Sequence, residues 1–598
     1  MRTTRTEVDR RELLLLVAAS CLVSVVMNWP LVLHLGTDIP KDLGDPLVQA
    51  WQVAWDGHAL ANQPLDFFQA NQFWPLHDSL AFSDALLGYA PAGLIGSGPE
   101  AAVFRYDVLF LFAYALAFAG AYLLARELGL GPVGAAVAGA AFAFAPFRLE
   151  QDGHLHVISS GGVPLAIAIG LRGYRLRRPG WVVAGFIVAA WQLSLGFTLG
   201  LPFAYLLAAL GVIATVWWLR AGRPELSRAL VTATVVGAVI FVGTAAVISR
   251  PYMRVADEHP YAQRSPETVD SYSGPPWMYL VAPDENAVWG GATAGLRDEL
   301  DRVPEQTLFP GLVTIALAVA GVASSVYPRG LRIGLGAGVL GFSVLALGFQ
   351  TEGGLLWPYR VAYEVLPGLE GIRVPGRLFT FASLGLALLA GAGAEGARRG
   401  LASRARARGG AFARFAAWGG APPAIAALLV LAIAVEGRGL PFDPLDDQAQ
   451  PEAPPAPVRF AEIPAPQLHL PAERPEDNRR YLLWSTDGFP ATVNGRSSID
   501  PVFTAGVIED AEGFPDRFSV ERLRELGVRS VVLYTERVEG TPWESAAERP
   551  IRGLAVSRQS RGEVLVYDLR PDATVGQSAV ADAGTTAALT VRSPRSAR

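Results

Sequence analysis

The chain has 598 residues, 51% apolar and 18% charged, with a mean hydropathy of +0.30, a balance that excludes an ordinary soluble enzyme and fits an integral membrane protein. Its formal net charge of -5 conceals basic and acidic residues segregated into different loops, which argues against a nucleic-acid partner. Cys21 is the single cysteine and lies in an apolar run, so no intrachain disulfide or thiol redox pair is available.

In chain order, MRTTRTEVDRRE precedes LLLLVAASCLVSVVMNWPLVLHL, a run longer than a signal-peptide core and lacking an Ala-x-Ala exit. It reads as an uncleaved span. Further apolar runs follow at 103–126, 132–148, 155–172, 180–194, 196–219, 229–249, 307–326, 331–349, 377–397 and 418–436, so with 12–35 about eleven spans are expected. Stretches near 82–97 and 355–369 are broken by Gly and Pro and carry charges, which suits interfacial or re-entrant helices. The alternate short loops RGYRLRRPG, RAGRPELSR, YPRGLR and RRGLASRARARGGAFAR are all basic, which places them and the N-terminus in the cytoplasm. The opposite set, including 36–102 with Lys41 as its only Lys or Arg and the long loop 250–306, then faces outward. The preference for Arg over Lys and the abundance of Ala, Gly and Pro suggest bacterial, GC-rich coding.

The expected organisation is a transmembrane domain over 1–436, a Pro-rich linker over 437–460, a small extracytoplasmic α/β domain over 461–570 and a disordered tail over 571–598. Within the α/β domain RYLLWST, SVVLYTERV and GEVLVYDL read as strands, and RFSVERLRELGV as an amphipathic helix ended by Gly527. The fold class is therefore an α-helical polytopic membrane protein with a small C-terminal α/β domain.

Three outward segments concentrate chemistry. In KDLGDPLVQAWQVAWDGHAL, Asp42 and Asp45 flank a Gly44 turn, a helix is expected to start at Pro46, and Trp51 and Trp55 share one helical face suited to the membrane interface. Two readings stay open there: Asp45 as a helix cap beside anchoring tryptophans, or Asp45 as a catalytic base. In APFRLEQDGHLHVISS, Arg148, Glu150, Asp152, His154 and His156 crowd one short connection. Capping by Asp152 and His154 is one reading and a divalent-metal site is another, although no full ligand set emerges. In WPYRVAYEVLPGLEGIRVPGRLFTF, Arg373 and Arg377 depart from the positive-inside rule and need an anionic partner, either a lipid phosphate or Glu364 or Glu370. No phosphate-binding P-loop, zinc-type Cys pair, H-E-x-x-H or nucleophile elbow is present, and no convincing repeat.

The blocks GDPLVQAWQVAWDGHAL, FQANQFWPLHDSLAFSDALLG and FAFAPFRLEQDGHLHVISS resemble bacterial polytopic proteins related to the GT-C glycosyltransferases and the YfhO-type membrane proteins. DSYSGPPWMYLVAPDENAVWG, GIRVPGRLFTF, PATVNGRSSIDP and LRELGVRSVVLY look like later blocks of the same group. The resemblance implies a GT-C-like fold and transfer from a polyprenyl-phosphate sugar to a cell-envelope glycan or lipid acceptor on the outer face of the plasma membrane. It further implies Asp45 as base with Asp42 second, and Arg373, Arg377, Arg148 and His154 around the donor phosphate. Trp51, Trp55, Glu150, Asp152 and His156 are then substrate contacts, and the tail domain is assigned to acceptor recognition. Pro46 departs from the acidic pairing common in this loop of the family. The rival is a non-catalytic lipid or polymer transporter or an envelope-glycan assembly factor, for which GFTLGLPFAY at 196–205 is the candidate broken helix.

Overall fold

Asp9 opens the first helix, α1 (Arg10–Met27), by accepting the Glu12 amide at 2.7 Å, the cap expected of a short acidic side chain there. The helix stops at Met27, short of the expected limit of the 12–35 run. A computed structural model of the chain describes residues 8–222, 225–349, 358–408, 421–439 and 451–569. Among these, six helices are long and apolar enough to cross a membrane: Gly98–Glu127, Leu155–Leu176, Phe197–Arg220, Arg228–Glu258, Arg329–Ala346 and Pro375–Leu401. The runs expected at 132–148, 180–194, 307–326 and 418–436 fall on shorter apolar helices, Pro132–Ala143, Pro179–Ser194, Leu312–Ala323 and Ala424–Glu436. Small residues let these helices approach closely: a Cβ on Gly321 would stand 1.9 Å from the Leu389 carbonyl oxygen, so the helix backbones nearly touch.

Helix α2 (Asp45–Asn62) corrects the interfacial reading of its tryptophans. It buries 13 of its 18 residues. Trp51 is fully enclosed and donates its indole N–H to Asn71 Oδ1 at 2.9 Å, while Trp55 donates to the Phe67 carbonyl at 3.1 Å and meets Phe489 edge-on. The four-residue spacing does put both rings on one face, but the segment 67–87 covers that face together with Leu482 and Phe489 of the C-terminal domain. Asn71 fastens the cover: its Nδ2 donates to Ser485 Oγ and to the Pro490 carbonyl, both at 3.0 Å, and its carbonyl accepts the Thr492 amide at 2.7 Å.

The C-terminal domain holds a four-stranded sheet of order β1-β2-β4-β3, with β1 (Gln467–Leu470) parallel to β2 (Ser530–Tyr534) and both β2 and β3 (Ser557–Arg561) antiparallel to β4 (Val564–Asp568). The segment RYLLWST, expected as a strand, instead ends the helix Pro475–Ser485. Pro475 at its start and Glu476 and Asp477 in its first turn are helix-opening signals, and the apolar run behind them is too short for periodicity to decide. The helix Arg517–Glu525 follows its pattern, capped by Asp516 and closed by Gly527 at φ +88°. The end of the expected linker is paired: the Ile39 amide donates to the Pro451 carbonyl at 2.9 Å and the Ala453 amide to the Thr37 carbonyl at 2.6 Å. The rest of its Pro-rich run, 440–450, and the expected disordered tail lie outside the described residues.

Asn71→Ala strands the buried Trp51 indole N–H and opens the seam to the C-terminal domain. A loss of about 2 kcal/mol is expected, read as a lowered thermal midpoint of the purified protein in detergent.

Candidate active site

Asp42 Oδ1 accepts the Gly44 amide at 2.6 Å, a tight local turn that delivers Asp45 as the first residue of α2. A carboxylate there is favoured by the positive end of the helix dipole. Asp45 accepts no hydrogen bond among the described residues: His154 Nε2 stands 3.6 Å from Oδ2, and the Arg479 guanidinium, from the C-terminal domain, stands 3.8 Å from Oδ1. Its side chain is about half exposed, and two cavities meet on it.

The first cavity, about 670 Å³, is walled mainly by charged residues, among them Asp42, Glu150, Arg302, Arg373, Arg479 and Arg480. The second, about 820 Å³, runs along the α2 face formed by Asp45, Gln49 and Gln52 and is lined on its other sides by apolar groups such as Phe82, Phe197, Leu201, Tyr252 and Met253. Asp45, His154 and Arg373 belong to both.

A buried ion pair stiffens the common wall. Arg377 grips Glu305 with both ends of its guanidinium, at 2.6 and 3.3 Å, and its third nitrogen lies 3.1 Å from His156 Nε2. A guanidinium only donates, so Nε2 of His156 is the acceptor in that contact. Burial alone would raise the Glu305 carboxyl, but Arg377 and then His154 outweigh it and hold it at about 2. His154 goes the other way: burial and the Arg377 charge lower it, against the pull of Glu305 and Asp45, which keeps the ring neutral at pH 7. Deeper in, Asp84 caps the helix Phe197–Arg220, accepting the Phe197 amide at 2.7 Å and the Thr198 hydroxyl at 2.5 Å, and turns one oxygen to within 3.9 Å of His156.

Several expected site residues are engaged elsewhere. Arg148 is buried, donating to Ser160 Oγ and the Ile158 carbonyl with its guanidinium over the Tyr114 ring, and it lines neither cavity. Arg377 lines the second cavity and pairs with Glu305, not with the expected Glu364 or Glu370; Glu364 pairs with Arg360. Asp152 takes the Tyr114 hydroxyl and is pushed up to about 7 by burial, which the Tyr114 hydrogen bond moderates. It lines neither cavity, and nor do Trp51 and Trp55. Glu150 lines the charged cavity but is paired with Lys41 at 3.2 Å, and the same ammonium reaches Glu285. His156 lines the apolar cavity. The segment 196–205 is the ordinary start of a helix with Pro202 in its second turn, not a break at its middle.

Sequence reasoning passed over Glu305, Asp84, Arg302, Tyr272, Arg479 and Arg480. Glu305 carried a faint signal, an acid after a proline just ahead of an apolar run. The paired arginines of the tail carried none. Among the described residues no group of three or more His, Cys, Asp or Glu side chains is arranged to hold a metal ion.

Stability should carry the Glu305 signature. A carboxyl held at about 2 against an ordinary 4.5 stabilises fully above 4.5, and that contribution is lost as pH falls toward 2. The wild-type thermal midpoint is expected to fall across that window by the equivalent of about 3 kcal/mol. Glu305→Gln, starting lower because Arg377 is left buried and unpaired, should lack this part of the slope.

No protein-family model and no curated protein matches the chain. Solved structures do. An Archaeoglobus fulgidus oligosaccharyltransferase, tethered with an acceptor peptide containing the NVT sequon, matches 88% of this chain and 70% of its own at 14% identity, with a TM-score of 0.44. The mycobacterial arabinofuranosyltransferase AftD matches 95% of this chain at 15% identity, with a TM-score of 0.51, and this chain spans 42% of its length. Both are GT-C glycosyltransferases, and the likeness to AftD is one of fold.

Proposed function

We propose that the chain is a membrane glycosyltransferase that moves a sugar from a polyprenyl-phosphate donor to a cell-envelope glycan or lipid on the extracytoplasmic face of a bacterial plasma membrane. The observation that carries the reading is the open Asp45 carboxylate, free of hydrogen bonds where a charged cavity and an apolar cavity meet. The GT-C fold of the mycobacterial neighbour and the outer-loop sequence blocks support it. About eleven spans with a cytoplasmic N-terminus and an outward C-terminal domain belong to the same proposal.

In this reading the donor chain lies among Phe197, Leu201, Tyr252 and Met253, and its phosphate comes to Arg373, the arginine common to both cavities and free of any carboxylate bond. Asp45 takes the proton of an acceptor hydroxyl as that oxygen attacks the anomeric carbon; the bond from that carbon to the phosphate oxygen breaks, and polyprenyl phosphate leaves with the electron pair. One displacement inverts the anomeric centre. Arg373 meets the charge developing on the leaving phosphate. Arg377 acts at one remove, holding Glu305 and His156 so that His154 and Arg373 keep their distance from Asp45.

The test is sugar transfer by the purified protein with a panel of polyprenyl-phosphate sugars and envelope-glycan acceptors. Asp45→Asn is expected to lower turnover about 10²- to 10⁴-fold while polyprenyl-phosphate binding persists. Transfer unaffected by Asp45→Asn moves the base elsewhere; reconstituted vesicles that move lipid or polymer without forming a glycosidic bond sink the enzyme reading.

A further inference from the structure

The charged cavity contains cations, besides Arg373, that the reaction above leaves unused. Arg302, on the outer loop 250–306, and Arg373, ahead of the Pro375–Leu401 helix, both stack on one aromatic ring: their guanidinium carbons lie 4.9 and 4.8 Å from the centre of Tyr272. Neither side chain makes a hydrogen bond or ion pair among the described residues. Two like charges held on one ring repel each other, and the nearest buried acid, Glu305, is already gripped at both oxygens by Arg377. Stacking fixes a guanidinium plane while leaving its N–H edge free, the geometry that binds an oxyanion with two parallel hydrogen bonds.

A third cation comes from the other side. Arg479, on the Pro475–Ser485 helix, points at the cavity with Asp45 as its one carboxylate neighbour, at 3.8 Å, and its buried Nε has no partner. Of the acids in the same wall, Asp42 holds the Gly44 amide, Glu150 holds Lys41 and Glu305 holds Arg377, which leaves Asp45 and Glu476 facing four arginines, Arg302, Arg373, Arg479 and Arg480. Positive charge is therefore left open toward the space on the far side of Asp45 from the apolar cavity.

The geometry points to an oxyanion subsite beside the donor phosphate on Arg373: Arg302 and Arg479 receive a phosphate or carboxylate carried by the acceptor, so the acceptor is an anionic glycan rather than a neutral one. The inference rests on the glycosyltransferase reading for the word acceptor, but the anion site itself does not. It also gives the C-terminal domain a direct part in recognition, because Arg479 reaches the site from that domain.

Inorganic pyrophosphate is a suitable soluble probe, titrated into the full-length protein in detergent with polyprenyl phosphate at saturation. Arg302→Ala and Arg479→Ala are each expected to weaken pyrophosphate binding about tenfold, the effect of removing one charge-assisted hydrogen bond, while polyprenyl-phosphate affinity stays within about twofold. Arg302→Lys should recover part of the affinity, which a merely misfolded variant would not. Pyrophosphate binding unchanged in both alanine variants overturns the subsite. So does exclusion of pyrophosphate by polyprenyl phosphate, or an equal fall in affinity for both, since the cations then serve the donor. Weakened pyrophosphate binding in the variants, alongside a wild type that transfers no sugar, keeps the anion site and removes the transferase reading alone.

Discussion

Helix α2 carries Asp45 at its first residue and is held from two sides at once. On one side it meets the short helix Ala90–Gly93 so closely that a Cβ on Gly57 would stand 2.0 Å from the Gly93 backbone. On the other, Trp51 and Trp55 are sealed under the segment 67–87 and the C-terminal domain, joined through Asn71. A helix with 13 of 18 residues buried has little freedom to slide or rotate, and that rigidity aligns Asp45, Gln49 and Gln52 along one wall. Precise placement of a reacting group depends on such support more than on the group itself. The C-terminal domain is thus part of the scaffold of the site.

Around that wall, burial sorts the charges into two sets. Arg377 with Glu305, and Lys41 with Glu150, are enclosed and close on each other, as charges must when water is withdrawn, and Lys41 also reaches the more exposed Glu285. Lys41 illustrates the balance: burial works against its ammonium, yet its two carboxylate partners raise it above the usual lysine range. Asp45, Arg302 and Arg373 remain partly exposed and unclosed. The enclosed pairs fix geometry, and the open groups are left to meet a ligand.

What could be read in advance follows the range of each interaction. The Gly44-Asp45-Pro46 turn was legible because a turn and a helix start are written in adjacent residues, and the structure shifts the start by one position. The apolar runs were legible for the same reason, although Met27 ends α1 earlier than hydropathy suggested. The tryptophans were misjudged because amphipathic spacing says that a face is covered and not whether lipid or protein covers it. Glu305 and Arg377 are separated by 72 residues, and Asp45 and Arg479 by far more. Pairings at that range are products of the tertiary fold, and charged residue types alone do not announce them.

Access to the apolar cavity follows from which helices face outward. Phe197–Arg220 and Arg228–Glu258 have only 22% and 17% of their most apolar windows buried, against 67% and 89% for Gly98–Glu127 and Pro375–Leu401. The latter pair forms the interior of the bundle; the former leave most of their apolar surface free, as lipid-facing helices do. These two exposed helices also line the cavity, through Phe197, Thr198 and Leu201 on one and Ser249, Tyr252 and Met253 on the other. Met253 is itself 60% exposed. In the proposed reading a long apolar chain enters from hydrocarbon along these greasy surfaces, and the charged groups of the cavity, Arg373 among them, are left to its polar head. In the same reading the polar acceptor comes to Asp45 through the charged cavity beside Arg479 and Arg480 of the C-terminal domain. Two substrates of opposite solubility would then meet one carboxylate from opposite sides.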